Sequence, residues 1–401
     1  MGPFLNHTTP QPALPLALAR NATRVQFAIL GTLAGTWGAH IPSVKRQYGL
    51  DEASLSWVLL AAGCGAVASL FFAGKLVARL GSRNTAAWGG LLMGLVLALV
   101  LVLPGLPFLL AMMVVFGASM SLFDVSINAE GTELESLYGR PVMGNLHAMF
   151  SVGGMLGAGL ASALLHYGVP AVTQVAGIAL ACAAVSVATS RGMLNTHPSH
   201  DASHASFAWP RGLLLLMGLL IFAGMLAEGV MYDWSVLYLK QEVGMPQAQA
   251  AIGYAVFSAA MAGTRFGGDA LRQRFSERAL LFWGAALSAC AMAVVLVAGS
   301  VSLVAVASVA TVAFVGFAMV GSGLALVVPI LFSAATRVPG VSPAAAIAAV
   351  SSIGYAGFMV GPPLIGGIAQ HSSLTLALSV VVLAAGMLAL GSRLVPAKAS
   401  R

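Results

Sequence analysis

Residues 121–135 read SLFDVSINAEGTELE, and the reading of this stretch decides the rest of the chain. It closes an apolar run, yet it carries Asp124 inside that run, followed by Asn128, Glu130, Glu133 and Glu135. An ionised carboxylate near a bilayer centre costs about 2.5–3.5 kcal/mol on insertion scales, so it belongs against a bundle interior or a wet cavity. At about 100° per residue, Asn128, Gly131 and Glu135 fall within about 40° of Asp124, giving one polar stripe that points inward. The same periodicity turns Glu130 and Glu133 elsewhere, towards water. The plainer alternative is an aspartate satisfied by a neighbouring helix, with no role beyond packing.

Composition supports the bilayer reading. Charged residues are 8% of the 401 and hydrophobic residues 59%, with a mean hydropathy of +0.92. A soluble protein carries about 25% charged residues. The chain is therefore expected to be an all-α polytopic membrane protein. Cys64, Cys182 and Cys290 sit inside apolar runs without metal-ligand spacing and read as small packing residues. The net charge of +7 is spread between hydrophobic segments, so it reports membrane topology rather than nucleic-acid binding.

Apolar runs of about 20 residues mark transmembrane helices. Twelve occur, near 25–44, 54–74, 85–103, 107–129, 143–165, 170–189, 212–238, 248–267, 279–298, 302–321, 342–368 and 373–392. Two ends are soft: the tenth span can continue to Ala335, and the fourth can end anywhere from Asn128 to Glu133. The expected organisation is a cytoplasmic tail over 1–24, a six-helix bundle over 25–189, a linker over 190–211, a second bundle over 212–393 and a tail over 394–401. No basic residue precedes the short apolar run Leu14–Ala19, which argues against a cleaved signal peptide.

An even number of spans puts both termini on one side. With the N-terminus inside, the outer loops hold only Lys45, Arg46 and Lys240 of the 19 basic residues, so the positive-inside rule places both termini in the cytoplasm. The linker is rich in Ser and His (His197, His200, His204), but its loose spacing does not make a metal site.

The halves repeat. A shift of 195 residues superposes Lys45 on Lys240, Gly49 on Gly244, Leu76 on Leu271, Arg79 on Arg274 and Arg83 on Arg278. A shift of 200 places Ser151, Gly154 and Gly157 on Ser351, Gly354 and Gly357. Six plus six spans in parallel repeat describe two pseudo-symmetric bundles that can rock about a midplane site.

The turn after the second span, GKLVARLGSR (Gly74–Arg83), resembles the loop signature of the major facilitator superfamily, G-x-L-x-D-R-x-G-x-R/K. Gly74, Leu76, Arg79, Gly81 and Arg83 match, while Ala78 stands where the family has an acid. The second half carries GGDALRQRFSER, with Asp269 ahead of Arg272, Arg274 and Arg278. The resemblance implies a cytoplasmic gate formed by Gly74, Arg79, Gly81, Arg83, Asp269 and Arg274, although basic residues at these helix ends also suit topology alone.

Four further stretches resemble the YbjJ/MosC-like branch, which is related to fucose permease-like proteins. They are FDVSINAEG (Phe123–Gly131) with NLHAMFSVGG (Asn145–Gly154), AEGVMYDWSVLYL (Ala227–Leu239), GSGLALVVPILFSAA (Gly321–Ala335) and GYAGFMVGPPLIGG (Gly354–Gly367). Fucose permease-like proteins use an acid on the fourth span for sugar and proton coupling, and Asp124 with Asn128 matches that motif. Their first-span Asp has no counterpart; the first span offers Thr32, Thr36, Trp37 and His40.

Proton-coupling candidates are Asp124, Glu228 and His147; a histidine titrates near neutral pH and can relay protons or pair with a carboxylate. On a continuous seventh helix Glu228, Tyr232 and Ser235 share a face, with Asp233 about 140° away. Candidates for a substrate cavity are Asn128, Trp37, His40, Asn145, Tyr232, Asp233 and Tyr355. Pro329, Pro362 and Pro363 are expected to bend or break spans ten and eleven.

No GxxxxGK[ST] loop occurs, which argues against an ATP-driven pump, and no catalytic or metal constellation suggests an enzyme or a bound cofactor. The leading expectation is a secondary transporter of the bacterial inner membrane, monomeric by family resemblance. It would move a small solute such as a sugar, polyol or inositol-like compound with protons. Efflux of amphipathic compounds, or solute reception without movement, remain the alternatives.

Overall fold

The computed structural model describes residues 16–198, 211–300 and 306–396. The outer parts of both expected tails, most of the linker, and His200 and His204 lie outside the described residues. Fourteen helices follow in chain order, α1 (Leu16–Tyr48), α2 (Glu52–Leu80), α3 (Ser82–Leu99), α4 (Leu106–Tyr138), α5 (Met143–His166), α6 (Ala171–Ser190), α7 (Leu213–Gln241), α8 (Gln247–Phe266), α9 (Gly268–Arg274), α10 (Glu277–Ser300), α11 (Val306–Leu324), α12 (Val327–Ala335), α13 (Pro343–His371) and α14 (Leu374–Gly391). Among the described residues nine segments, with α11 and α12 counted as one, are long and apolar enough to cross a membrane. The other long helices, α1, α3 and α8, have 33, 18 and 20 residues and are more polar.

Local chemistry sets the boundaries. Asp51 caps α2 by accepting from the Ser54 amide at 2.7 Å, and Ser342 caps α13 ahead of Pro343. Gly81, at φ +82°, makes the sharp α2–α3 turn that a side chain would strain. Pro329 lies in the first turn of α12, where its missing N–H costs little, and the tenth span breaks just before it at Ala325–Leu326. Pro362 and Pro363, by contrast, sit inside α13, which stays one helix. The fourth span runs on to Tyr138, past the expected end between Asn128 and Glu133.

Helices α1–α6 form one bundle, in which α1 packs on α5 and α6, α2 on α4, and α3 on α4 and α6. Helices α7–α14 form the other, with α7 on α13 and α14, α8 on α11, and α10 on α11 and α14. The bundles meet where α5 lies on α8 and α2 on α13, which are repeat-equivalent pairs.

The repeat extends to how each half ties down the chain leaving it. Arg83, opening α3, donates through Nε to the Met193 carbonyl at 3.1 Å, just beyond α6. Arg278, opening α10, donates to the Val395 carbonyl at 2.6 Å, just beyond α14. Glu130 corrects the sequence reading: it does not face water but is fully buried. It accepts from Ser82 Oγ, the Leu194 amide and Thr196 Oγ1, because the chain after α6 folds back beneath α3 and α4 and supplies donors there. The second half places its acid on α10 instead, where Glu277 accepts from Arg272 at 2.8 Å and also pairs with Arg337.

Candidate functional site

The two bundles close against each other at one end and part towards the other. At the α1–α2 end, Gln247 of α8 donates to the Ala39 carbonyl at 3.0 Å and to Ser43 Oγ at 2.8 Å. A Cβ on Gly366 of α13 would stand 2.8 Å from the Glu52 carbonyl. Midway along α2, a Cβ on Gly63 would find Met359 at 3.6 Å, and at Gly74 it would meet nothing within 4 Å. The space between α2 and α13 thus widens towards the end that carries the chain termini.

At mid-height the polar groups of both halves converge. Glu228 of α7 is 8% exposed and pairs with Arg265 of α8, Nη2 to Oε1, at 3.2 Å. Tyr232, one turn along α7, donates its hydroxyl to the same Glu228 oxygen at 3.3 Å. Arg265 also crosses to the first bundle and donates to Ser151 Oγ on α5 at 2.9 Å. A buried ion pair holds only if the remaining polar valences are met, and Tyr232 and Ser151 meet two of them.

An aromatic wall adjoins this pair. The Tyr232 ring lies 5.3 Å from Tyr254 and from Phe257, and 6.4 Å edge-on from Phe150 of the first bundle. His147 on α5 stacks edge-on against Phe27 at 5.3 Å and stands within electrostatic reach of Arg265. On α4, Asp124 accepts from Asn128 Nδ2 at 2.9 Å, and Tyr355 of α13 is within electrostatic reach of it. Tyr355 is 37% exposed although it sits in the middle of a long helix. Among the described residues no cation lies in ion-pair range of Asp124.

The other sequence candidates scatter. Asp233 is half-buried on α7, within electrostatic reach of Tyr254. Trp37 is 7% exposed and packs on Phe116, within the first bundle. His40 is 1% exposed and held between the Thr36 carbonyl at 3.0 Å and Gln174 Oε1 at 3.2 Å. Asn145 accepts from Arg24 Nε at 2.7 Å near the start of α5. Glu135, read as part of the inward stripe, accepts from the Val142 and Met143 amides and so caps α5. Gly131 packs on Met143 and Leu146.

Of the loop residues, Arg83 and Gly81 border the chain after α6, where His197 Nδ1 also lies 3.1 Å from the Ala78 carbonyl. Gly74 stands open, and Arg79, Asp269 and Arg274 are exposed, with no ion pair among the described residues.

Sequence reading missed Arg265. Its signal was a cation in the apolar stretch SAAMAGTRF, seven residues before Arg272, the first basic residue of the loop that follows.

Two helical bundles with a charged, aromatic-lined site at their interface are the arrangement of a membrane transporter fold. The pattern described as Major Facilitator Superfamily matches residues 25–344, and the chain belongs to that family. It is 37% identical over 364 residues to an uncharacterized MFS-type transporter of Yersinia pestis, covering 90% of this chain and 92% of the relative. It is 30% identical over 384 residues to the membrane protein MosC of Rhizobium meliloti, covering 94% and 89%. The partially occluded inward-open structure of the xylose transporter XylE from E. coli superposes with a TM-score of 0.71 at 12% identity, covering 96% of this chain and 99% of that one.

Proposed function

We propose that this transporter moves a small polar solute across the bacterial inner membrane by alternating access, coupled to protons. The observation that carries the reading is Arg265, which joins Glu228 of its own bundle to Ser151 of the other at the level of an aromatic wall. A charged network that spans the moving interface is the kind of element whose arrangement a bound solute can bias.

The division of labour follows from pairing. Glu228 is paired with Arg265 and accepts from Tyr232, so it orients both side chains for the solute. Among the described residues the Asp124 carboxylate has only an amide partner, so protonation would remove the cost of enclosing its charge. We assign the proton to Asp124 and the solute to the space between Asp124, Asn128, Tyr355, Tyr232 and Arg265. Stacking on Tyr232, with polar groups on either side, suits a sugar, polyol or inositol-like ring. With the termini in the cytoplasm, as the positive-inside asymmetry supports, the conformation is closed outside and open inside. The monomer is taken as the working unit.

The test is a solute panel on purified protein, followed by flux. Sugars, polyols, inositol-like amines and lipophilic cations are screened for stabilisation, since a ligand of the folded state raises the melting temperature with concentration. Stabilising solutes are then imposed as gradients on proteoliposomes containing a trapped pH dye. Solute-driven proton movement, lost in Asp124→Asn, is the expected result. Stabilisation by lipophilic cations alone would favour efflux, and binding without flux would make the protein a receptor.

A further inference from the structure

A second charged site lies at the closed end. There a cavity of about 390 Å³ opens between the bundles, lined by Pro42, Lys45, Arg46, Leu50, Leu237 and Lys240 among others. Lys45 and Arg46 come from the last turn of α1, and Lys240 from the last turn of α7. The two lysines are repeat equivalents, 195 positions apart, and Lys240 lies within electrostatic reach of both Lys45 and Arg46.

The repeat also shows what is missing. Lys45 pairs with Glu52, seven residues on, at the start of α2. The equivalent of Glu52 is Gln247, which lies 3.5 Å from Lys240 and cannot neutralise it. Gln247 is 9% exposed and gives its amide hydrogens to Ala39 and Ser43 of the other bundle. The remaining carboxylates at this end are already engaged. Asp51 caps α2, and Glu242 accepts from the Leu374 amide at 2.9 Å at the start of α14. Arg46 and Lys240 therefore face one cavity from opposite bundles; no carboxylate lines it, and among the described residues neither side chain is in an ion pair.

We propose that this cavity binds a phosphate-class anion, either free phosphate or the phosphate of an anionic lipid headgroup, clamped between Arg46 and Lys240. Arg46 offers the planar fork that suits phosphate, and Lys240 a point charge. Because the two come from different bundles, the bound anion holds this end shut.

The test uses the full chain in detergent, titrated with inorganic phosphate against chloride of equal ionic strength. Phosphate is expected to raise the melting temperature saturably beyond chloride. Arg46→Gln and Lys240→Gln should each raise the half-saturating concentration about tenfold, the loss of one charge-assisted contact. Both relieve like-charge repulsion, so neither threatens folding. Gln247→Glu, which restores the carboxylate present in the first half, should weaken phosphate in the same way.

Nanodiscs separate the sources. If phosphatidylglycerol stabilises more than phosphatidylcholine and free phosphate then adds nothing, the headgroup occupies the cavity; if phosphate still adds, the ligand is the free anion. A phosphate effect no larger than that of chloride, with no preference for phosphatidylglycerol, overturns the proposal. So does an effect undiminished in the double variant Arg46→Gln/Lys240→Gln.

Discussion

Arg265 of the second bundle donates to Ser151 of the first at 2.9 Å while its other terminal nitrogen stays 3.2 Å from Glu228. One guanidinium thus serves a partner in its own bundle and one in the other. Under the proposed rocking motion the ion pair would persist within one bundle, whereas the Ser151 contact, which crosses the interface, would have to be remade.

Removing one member of the buried pair strands the other. Arg265→Gln or Glu228→Gln should each cost about 3–5 kcal/mol of stability. The double variant should recover most of that loss but not transport. Thermal unfolding of all four proteins, alongside proteoliposome flux, checks both halves of the statement, and a double variant no more stable than the singles refutes it.

Ser151→Ala removes only the crossing contact. The expected stability loss is about 1 kcal/mol, while the balance between the two access states shifts. Accessibility of cysteines placed on either face, compared with wild type, reads that shift; unchanged labelling would mean that Ser151 is a bystander.

Glu130 holds the chain after α6 in place through Ser82, Leu194 and Thr196. Glu130→Ala leaves these donors unsatisfied and should destabilise by about 2–3 kcal/mol. Hydrogen exchange should quicken at the Leu194 and Thr196 amides before it does elsewhere in the first bundle. Uniformly faster exchange would instead indicate a general loss of fold.

Asp51 carries a pH signature outside the membrane. Hydrogen bonds from the Ser54 side chain and amide, the largest contributions, hold its carboxyl below its ordinary 3.8. A depressed folded-state pKa stabilises above the unfolded value and is lost as pH falls through the folded one. The melting-temperature advantage of wild type over Asp51→Ala should therefore be level near about pH 5 and shrink towards about pH 3. An advantage independent of pH across that window would show that the cap does not depend on charge.

The all-helical membrane architecture was legible in the chain, because hydropathy marks the long apolar helices and repeat spacing shows which of them are equivalent. Among the described residues, however, only nine of the twelve expected spans are long and apolar enough by themselves. Local pairings were legible too. Glu228 with Tyr232, and Asp124 with Asn128, are one-turn relationships that a helix fixes by itself. Arg265 was not, because its meeting with Glu228 depends on the register between α7 and α8, which packing sets. Glu130 misled for the same reason. Its angle on α4 was read correctly, but the partner that buries it arrives 64 residues later in the chain.

The small residues on α1 and α5 give the transporter its mechanical character. A methyl group on Gly31 or Gly153 would run into the Phe150 or Ala28 backbone, so these two helices touch main chain to main chain and yield little. Where α5 faces α8, Gly154 looks instead onto the Ser258 and Tyr254 side chains at 3.1 and 3.4 Å. Stiffness is thus concentrated between α1 and α5 inside the first half, and compliance where α5 meets α8. Under the rocking motion proposed above, turning one half against the other would deform side chains along α5 and α8 rather than main chain, so residues there would set how easily the two halves turn.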